Sequence, residues 1–256
     1  MAAPFFEMHR VSILALLLAA SAVLSGCVYV RLARVKHQLA EVEKNVALDI
    51  RDGLWLSFAE PILLPEDILH VARREPSRVE NGGASFKWIY RFSKRVRGGA
   101  PPGGRFDVPV ELFFAGGKLI GGRLPERFGR ILDVRFVQET LRAVGRARVE
   151  IEPRTVCGRV PSDRVDSGTA VLPTEQAVTD LFGRPRRRIE GRASSKLVYR
   201  YALDPGRGSL RPRRPRVELS FTFDHPGGRL LRVQARFAGI TLDLAYPLAA
   251  PSGPSS

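Results

Sequence analysis

Lys196 and Arg200 stand four apart in one alternating stretch, and Arg232 and Arg236 four apart in another. Residues two apart share a face of a strand, so each pair projects from one side of its strand. Lys87 and Arg91 repeat the spacing earlier in the chain. The chemistry open to such a set is capture of an anion by charge. Groups that make or break bonds are harder to assemble. His9, His37, His70 and His225 are not spaced as metal ligands and no Cys stands with them. There is no Gly-x-Ser-x-Gly elbow and no phosphate loop ending in Gly-Lys-Ser/Thr. Asp163 and Asp166 read as solvated turn residues, and Cys157 as a half-buried small residue in a loop. The sequence therefore predicts no enzyme, no catalytic residue, no metal and no cofactor.

Alternation also predicts which sides of these strands are buried. Leu197, Tyr199, Tyr201 and Leu203 form one set, with Val217, Leu219, Phe221 and Phe223 on the next strand and Val233, Ala235 and Phe237 on the last. A helix covers one face of a sheet, with Leu181 and Phe182 placed to do so, and the other face is left open and basic. Two such faces side by side would make a concave platform for an acidic partner. The plainer alternative is a solvated surface on which Arg200–Glu218 and Arg91–Glu111 form cross-strand pairs, contributing about 0.2–1 kcal/mol each.

The elements that must position these residues recur at offsets of 107 to 111, two of the four matches at 109. Phe86–Phe92 answers to Ser195–Tyr201, Val110–Phe114 to Val217–Phe221, Gly116–Ile120 to Gly227–Leu231, and Arg127-Phe128 to Arg236-Phe237. Leu64-Pro65 and Leu172-Pro173 each open a helical segment near a Pro. The reading is an α+β chain of two tandem repeats, each a helix plus a three-stranded antiparallel meander whose second turn is Gly-Gly. Val134, Val137, Leu141 and Val144 share the face of an extra helix after the first repeat. Ahead of the repeats, Val28, Leu32, Val35, Leu39, Val42 and Val46 make a heptad seam on an amphipathic stalk helix of about twenty residues. Such a helix could dimerise, pack on the folded domain, or space it from a membrane. The expected order is residues 1–26, 27–50 (stalk), 51–151 (first repeat with the extra helix), 152–168 (linker), 169–246 (second repeat) and 247–256 (disordered tail).

Residues 1–26 read as a signal peptide. Arg10, the apolar Val11–Val23 and the small Ser25-Gly26 follow in the order such a peptide requires. Leu24-Ser25-Gly26-Cys27 resembles the lipobox of bacterial lipoproteins, which implies cleavage before Cys27 and a lipid on it. Val28 at the next position implies sorting to the outer membrane. Val11–Val30 is also nearly long enough for an uncleaved transmembrane anchor, which leaves an inner-membrane location as the alternative. With Cys27 lipidated, Cys157 has no intrachain partner.

The segments Thr174–Val178, Leu181-Phe182-Gly183-Arg184-Pro185, Tyr199-Arg200-Tyr201 and Val217–Asp224 before Gly227-Gly228 are similar to small outer-membrane lipoproteins of the SmpA/OmlA (BamE) type. The doubled unit looks like the β-lactamase-inhibitor-protein fold. The resemblance implies an accessory role in outer-membrane assembly, or a binding role, without catalysis. The first copy departs from the pattern, with Glu75 standing where Gly183 precedes the Pro, so its helix is expected to end differently.

Net charge is +15 with 41 basic residues, of which six are Lys. The surplus favours anionic envelope partners, an acidic protein or acidic lipid, over nucleic acid, which an exported chain rarely meets. The expected protein is a non-enzymatic envelope lipoprotein that binds through Lys87, Arg91, Lys196, Arg200, Arg232 and Arg236. A transmembrane-anchored protein binding anionic lipid or glycan is the alternative, and a hydrolase stands third.

Overall fold

The structure is a computed structural model describing residues 27–95, 104–150, 154–166, 171–205, 216–225 and 228–247. The expected signal peptide, most of the expected tail and the tips of the two long loops lie outside the described residues. The chain runs through α1 (Val28–Ala40), α2 (Val42–Asn45), β1 (Val46–Ile50), β2 (Gly53–Phe58), α3 (Pro65–Ala72), β3 (Arg78–Gly82) and β4 (Ser85–Lys94). It continues with β5 (Val108–Ala115), β6 (Lys118–Pro125), α4 (Glu126–Ile131), α5 (Val134–Arg146), β7 (Arg148–Glu150), β8 (Thr155–Arg159) and α6 (Ser162–Asp166). It closes with α7 (Glu175–Phe182), β9 (Arg187–Glu190), β10 (Ser194–Leu203), β11 (Arg216–Asp224), β12 (Leu230–Phe237) and β13 (Ile240–Ala245).

All thirteen strands of the described residues belong to one sheet, ordered β1-β2-β6-β5-β4-β10-β11-β12-β13-β8-β7, with β3 on β4 and β9 on β10 beside that path. This overturns the expected pair of helix-plus-three-strand units. Short strands β3 and β9 intervene between each helix and its meander, β1 and β2 extend one end, and β13, β8 and β7 extend the other. The sheet is mixed, because β13 and β8 run parallel.

The halves meet where β4 pairs with β10, in a short antiparallel ladder of Phe92↔Leu203, Ser93↔Ala202 and Lys94↔Tyr201. Ser93 and Ala202, directly opposed at the centre of this ladder, are 109 residues apart in the chain. A register shift falls between Phe113 and Phe114 on β5 and between Thr222 and Phe223 on β11, again 109 apart. Register also corrects one expected match. Tyr90 lies opposite Val110 and Tyr199 opposite Leu219, so Val110 and not Leu112 holds the place of Leu219.

The helices gather on one side of the sheet. Tyr199, Tyr201, Phe223, Leu230 and Leu244, with 0–2% of their surface exposed, pack with Val178, Leu181 and Phe182 of α7, Phe128 of α4 and Phe136 of α5. Trp88, Tyr90, Phe114 and Leu203 form a second core, joined by Leu32 and Val35 of α1 and Ile68 and Leu69 of α3. The sheet must curl toward these helices. Eight inter-strand steps separate β1 from β13, roughly 38 Å if flat, yet α5, about 20 Å long, touches both. The face without helices is consequently the convex one, and the expected concave platform is corrected.

The expected stalk is part of the body. Its helix ends at Ala40, β1 begins at Val46, and Val42 between them is fully buried. Helix α1 crosses α5 so closely that a Cβ on Gly145 would lie 2.1 Å from the Ala40 backbone nitrogen. The expected linker supplies β8 and α6, so Cys157 lies in a strand and not in a loop. The two Pro-led helices do end differently: α3 closes on Arg73 at φ 52°, α7 on Gly183 at φ 68°.

Candidate functional site

The uncovered face can be followed strand by strand, since directly opposed residues point to the same side. One row runs Lys196, Thr222, Arg232 and Ala245; the next runs Val198, Ser220, Gln234, Asp243 and Cys157; the third runs Arg200, Glu218, Arg236 and Thr241. Lys87, Ile89 and Arg91 continue the same face on β4, because Ser93 pairs with Ala202. All six expected binding residues therefore share one face of one sheet.

Most of their charge is answered within the face. Lys196 donates to the Gln234 amide oxygen at 3.1 Å, and that amide nitrogen donates to Asp243 at 2.9 Å. Arg232 donates to Asp243 through two nitrogens, Nε to Oδ1 at 2.6 Å. Its guanidinium holds the Asp243 carboxyl below the ordinary carboxylate range despite partial burial, with the Gln234 amide adding to the effect. The Arg200 Nε lies 2.7 Å from Glu218, the one expected cross-strand pair that forms. Arg91 sits opposite Pro109, so its expected pair with Glu111 does not form. Glu111 is held by Arg123 at 2.7 Å and Lys87 at 3.6 Å, and Lys87 also meets Glu80 at 2.9 Å. The Lys87 ammonium lowers the Glu80 pKa. Arg91 and Arg236 are exposed and make no ion pair among the described residues.

Two components of this face were missed in the sequence. Asp243 lies on β13, beyond the last strand expected, although Ile240–Ala245 alternates as clearly as the strands before it. The other is a ring pair. Trp55 of β2 and Phe113 of β5 stack with centroids 4.9 Å apart across intervening β6, where Gly121 has no side chain to separate them. Arg123 lies over the Trp55 ring at 5.2 Å, and the indole N–H donates to Asp52 at 2.8 Å.

Cys27 caps the start of α1 with extended backbone. Two residues on, Tyr29 is 67% exposed and packs edge-on against His70 of α3. Cys27 and Cys157 are both free thiols. His225 contacts Glu190 at 3.1 Å, and Asp163 lies in α6. Among the described residues no group of three or more His, Cys, Asp or Glu side chains is placed to hold a metal ion, and no helix is long and apolar enough to cross a membrane. No family model, curated protein or solved structure matches this chain.

Proposed function

We propose that the chain is a non-enzymatic binding module of the bacterial envelope, lipid-anchored through Cys27 on the periplasmic side of the outer membrane, that engages an acidic partner on its convex sheet face. The observation that carries the reading is the segregation of the fold. The core-forming helices occupy the concave side, leaving on the other side a strand face whose exposed Arg91 and Arg236 make no ion pair among the described residues. The remaining ion pairs keep that face rigid and limit its net charge, which favours recognition of a patterned surface over unspecific adsorption. The anchor supports the same reading, because α1 starts directly after Cys27 and is docked on the body. A lipid there would hold the sheet within a few residues of the bilayer.

Labelling cells with radioactive palmitate tests the anchor: the wild type should incorporate label, and Cys27→Ser should not. Crosslinking from the convex face tests the binding role. Arg91→Glu with Arg236→Glu should abolish capture of the partner while leaving thermal stability nearly unchanged, because solvent-facing changes usually cost within about 0.5 kcal/mol. These two are the residues to reverse. Reversing Arg232 would instead break its bond to Asp243 and confound binding with folding. Full retention of every captured partner by the double reversal overturns the binding face, and equal labelling of Cys27→Ser overturns the anchor.

A further inference from the structure

A cleft of about 510 Å³ opens where the end of α7 meets α4 and the turn before β5. Arg105, Arg127, Arg130 and Arg184 line it with Phe106, and Asp180 is the one carboxylate among the described lining residues. The C-terminus of a helix ordinarily repels anions, since its last carbonyls carry partial negative charge. Here cations cover those carbonyls. The Lys94 ammonium donates to the Phe182 and Arg184 oxygens, and the Arg127 Nε donates to the Leu181 oxygen at 3.1 Å. A second Arg127 nitrogen donates to the Asp107 carbonyl at 2.6 Å, which fixes the guanidinium in the wall.

The wall is built around one glycine. Gly183 has φ 68°, and a Cβ there would lie 2.6 Å from the Phe106 ring. The bare backbone lets Phe106 lie flat against the chain, with Lys94 4.9 Å and Arg105 5.5 Å from its ring centroid. Arg130 shares its charge with Glu126, but Arg105 and Arg184 form no ion pair among the described residues. Four guanidinium groups against one carboxylate leave a formal surplus of three positive charges on the lining.

We infer that this cleft binds a phosphomonoester. Guanidinium forks match the three oxygens of a terminal phosphate and its charge of nearly two, whereas a carboxylate offers two oxygens and one charge. The volume admits a small group beyond the phosphate, with Phe106 as an apolar wall against it. The site does not depend on the convex face or on the anchor, so it stands or falls separately from the function proposed above.

Titration calorimetry of the full chain in detergent with inorganic phosphate tests the inference. Saturable binding is expected, weakened at least tenfold by Arg105→Gln with Arg184→Gln. Asp180→Asn, which removes the opposing carboxylate, should strengthen binding at least threefold, a gain that misfolding cannot produce. Vesicles containing phosphatidic acid, compared with phosphatidylglycerol vesicles of equal charge, identify the source. Preference for phosphatidic acid that free phosphate competes away places the phosphate on a lipid headgroup, while saturable binding of free phosphate without vesicle preference places it on a soluble ligand. Absence of saturable phosphate binding, or unchanged affinity in both sets of variants, overturns the site.

Discussion

Arg31 and Asp67 form a two-pronged ion pair between α1 and α3, Nε to Oδ2 at 2.6 Å and Nη2 to Oδ1 at 2.7 Å. The Asp67 carboxylate is 1% exposed and also accepts the Leu64 backbone N–H at 2.8 Å, so one side chain both caps α3 and holds α1 to the body. Burial pushes its pKa up, but the Arg31 fork and the Leu64 N–H pull it further down, to a net position below the ordinary value. A carboxylate with a depressed folded pKa stabilises the fold above its unfolded pKa, about 3.9, and that contribution disappears as pH falls through the folded value. Asp67→Ala should cost about 3–5 kcal/mol in urea unfolding at neutral pH, because it removes at once the buried carboxylate gripped by the Arg31 fork and the cap on α3. Asp67→Asn should flatten the acid limb of the stability profile below about pH 4.

A second buried pair behaves oppositely. Glu139 and Arg142 of α5 are 4% and 7% exposed and contact each other, with Glu43 also on Arg142 and Arg164 3.6 Å from Glu139. Desolvation raises the Glu139 pKa and lowers that of Arg142, so burial of this pair opposes the charged state. Arg142→Met alone should cost about 3 kcal/mol, because it leaves the buried Glu139 with only the longer contact to the more exposed Arg164. Adding Glu139→Leu should recover most of the loss, and a double-mutant cycle in guanidinium chloride reads the difference.

Gly145 permits the crossing of α5 and α1, so Gly145→Val should destabilise by about 3 kcal/mol or more, at or beyond the usual range for overpacking. All three of the nearest contacts at Gly145 are backbone atoms of Leu39 and Ala40, which cannot swing aside as a side chain would. Thermal melts should show Gly145→Ala already impaired, since 2.1 Å to Ala40 N is too close for any Cβ.

Lys94 carries the clearest alkaline signature. Burial lowers its pKa to about 8. A base whose folded pKa is depressed makes the unfolded chain bind more protons between that value and its unfolded pKa, about 10.4, so stability should rise with pH across this interval. Urea midpoints from pH 7 to 10 should show the rise in the wild type and a flatter course in Lys94→Met.

The faces of β10, β11 and β12 were legible because aromatic and aliphatic residues alternate there without interruption. Turns were legible at Gly116-Gly117, whose φ values of 55° and 73° are those the residue type permits. What escaped had no local signature. Strand β9 is exposed throughout, so it lacks the alternation that marks a buried strand. Helix α5 lies between α1 and the sheet, so an amphipathic reading found Val137 and Val144 but took no account of Glu139 and Arg142 on its other enclosed side. Arg31 and Asp67 are 36 residues apart, and nothing near either one announces the other. In the cleft, Gly183-Arg184 was noticed as part of a helix-ending motif, while Arg105 and Arg127 were separated from it by more than 50 residues.

The parallel junction of β13 with β8 imposes an order of events on the growing chain. Thr155–Arg159 pairs with β7 on one side, but its partner on the other is Thr241–Ala245, the last of the described strands to emerge. Until then β8 and its own neighbour β7 hang on an unfinished edge, with some 80 residues of chain still to be synthesised. Non-local parallel pairing is slow, and the waiting strand is exposed to wrong partners meanwhile. Tyr246 then closes the structure: fully buried, it stacks on Phe136 and shares a 3.0 Å hydrogen bond with Thr140 of α5, while its backbone N–H bonds Leu231. A protein built this way closes its sheet only once residues 241–246 have been made, so its last described strand is also the one on which the β7–β8 edge depends.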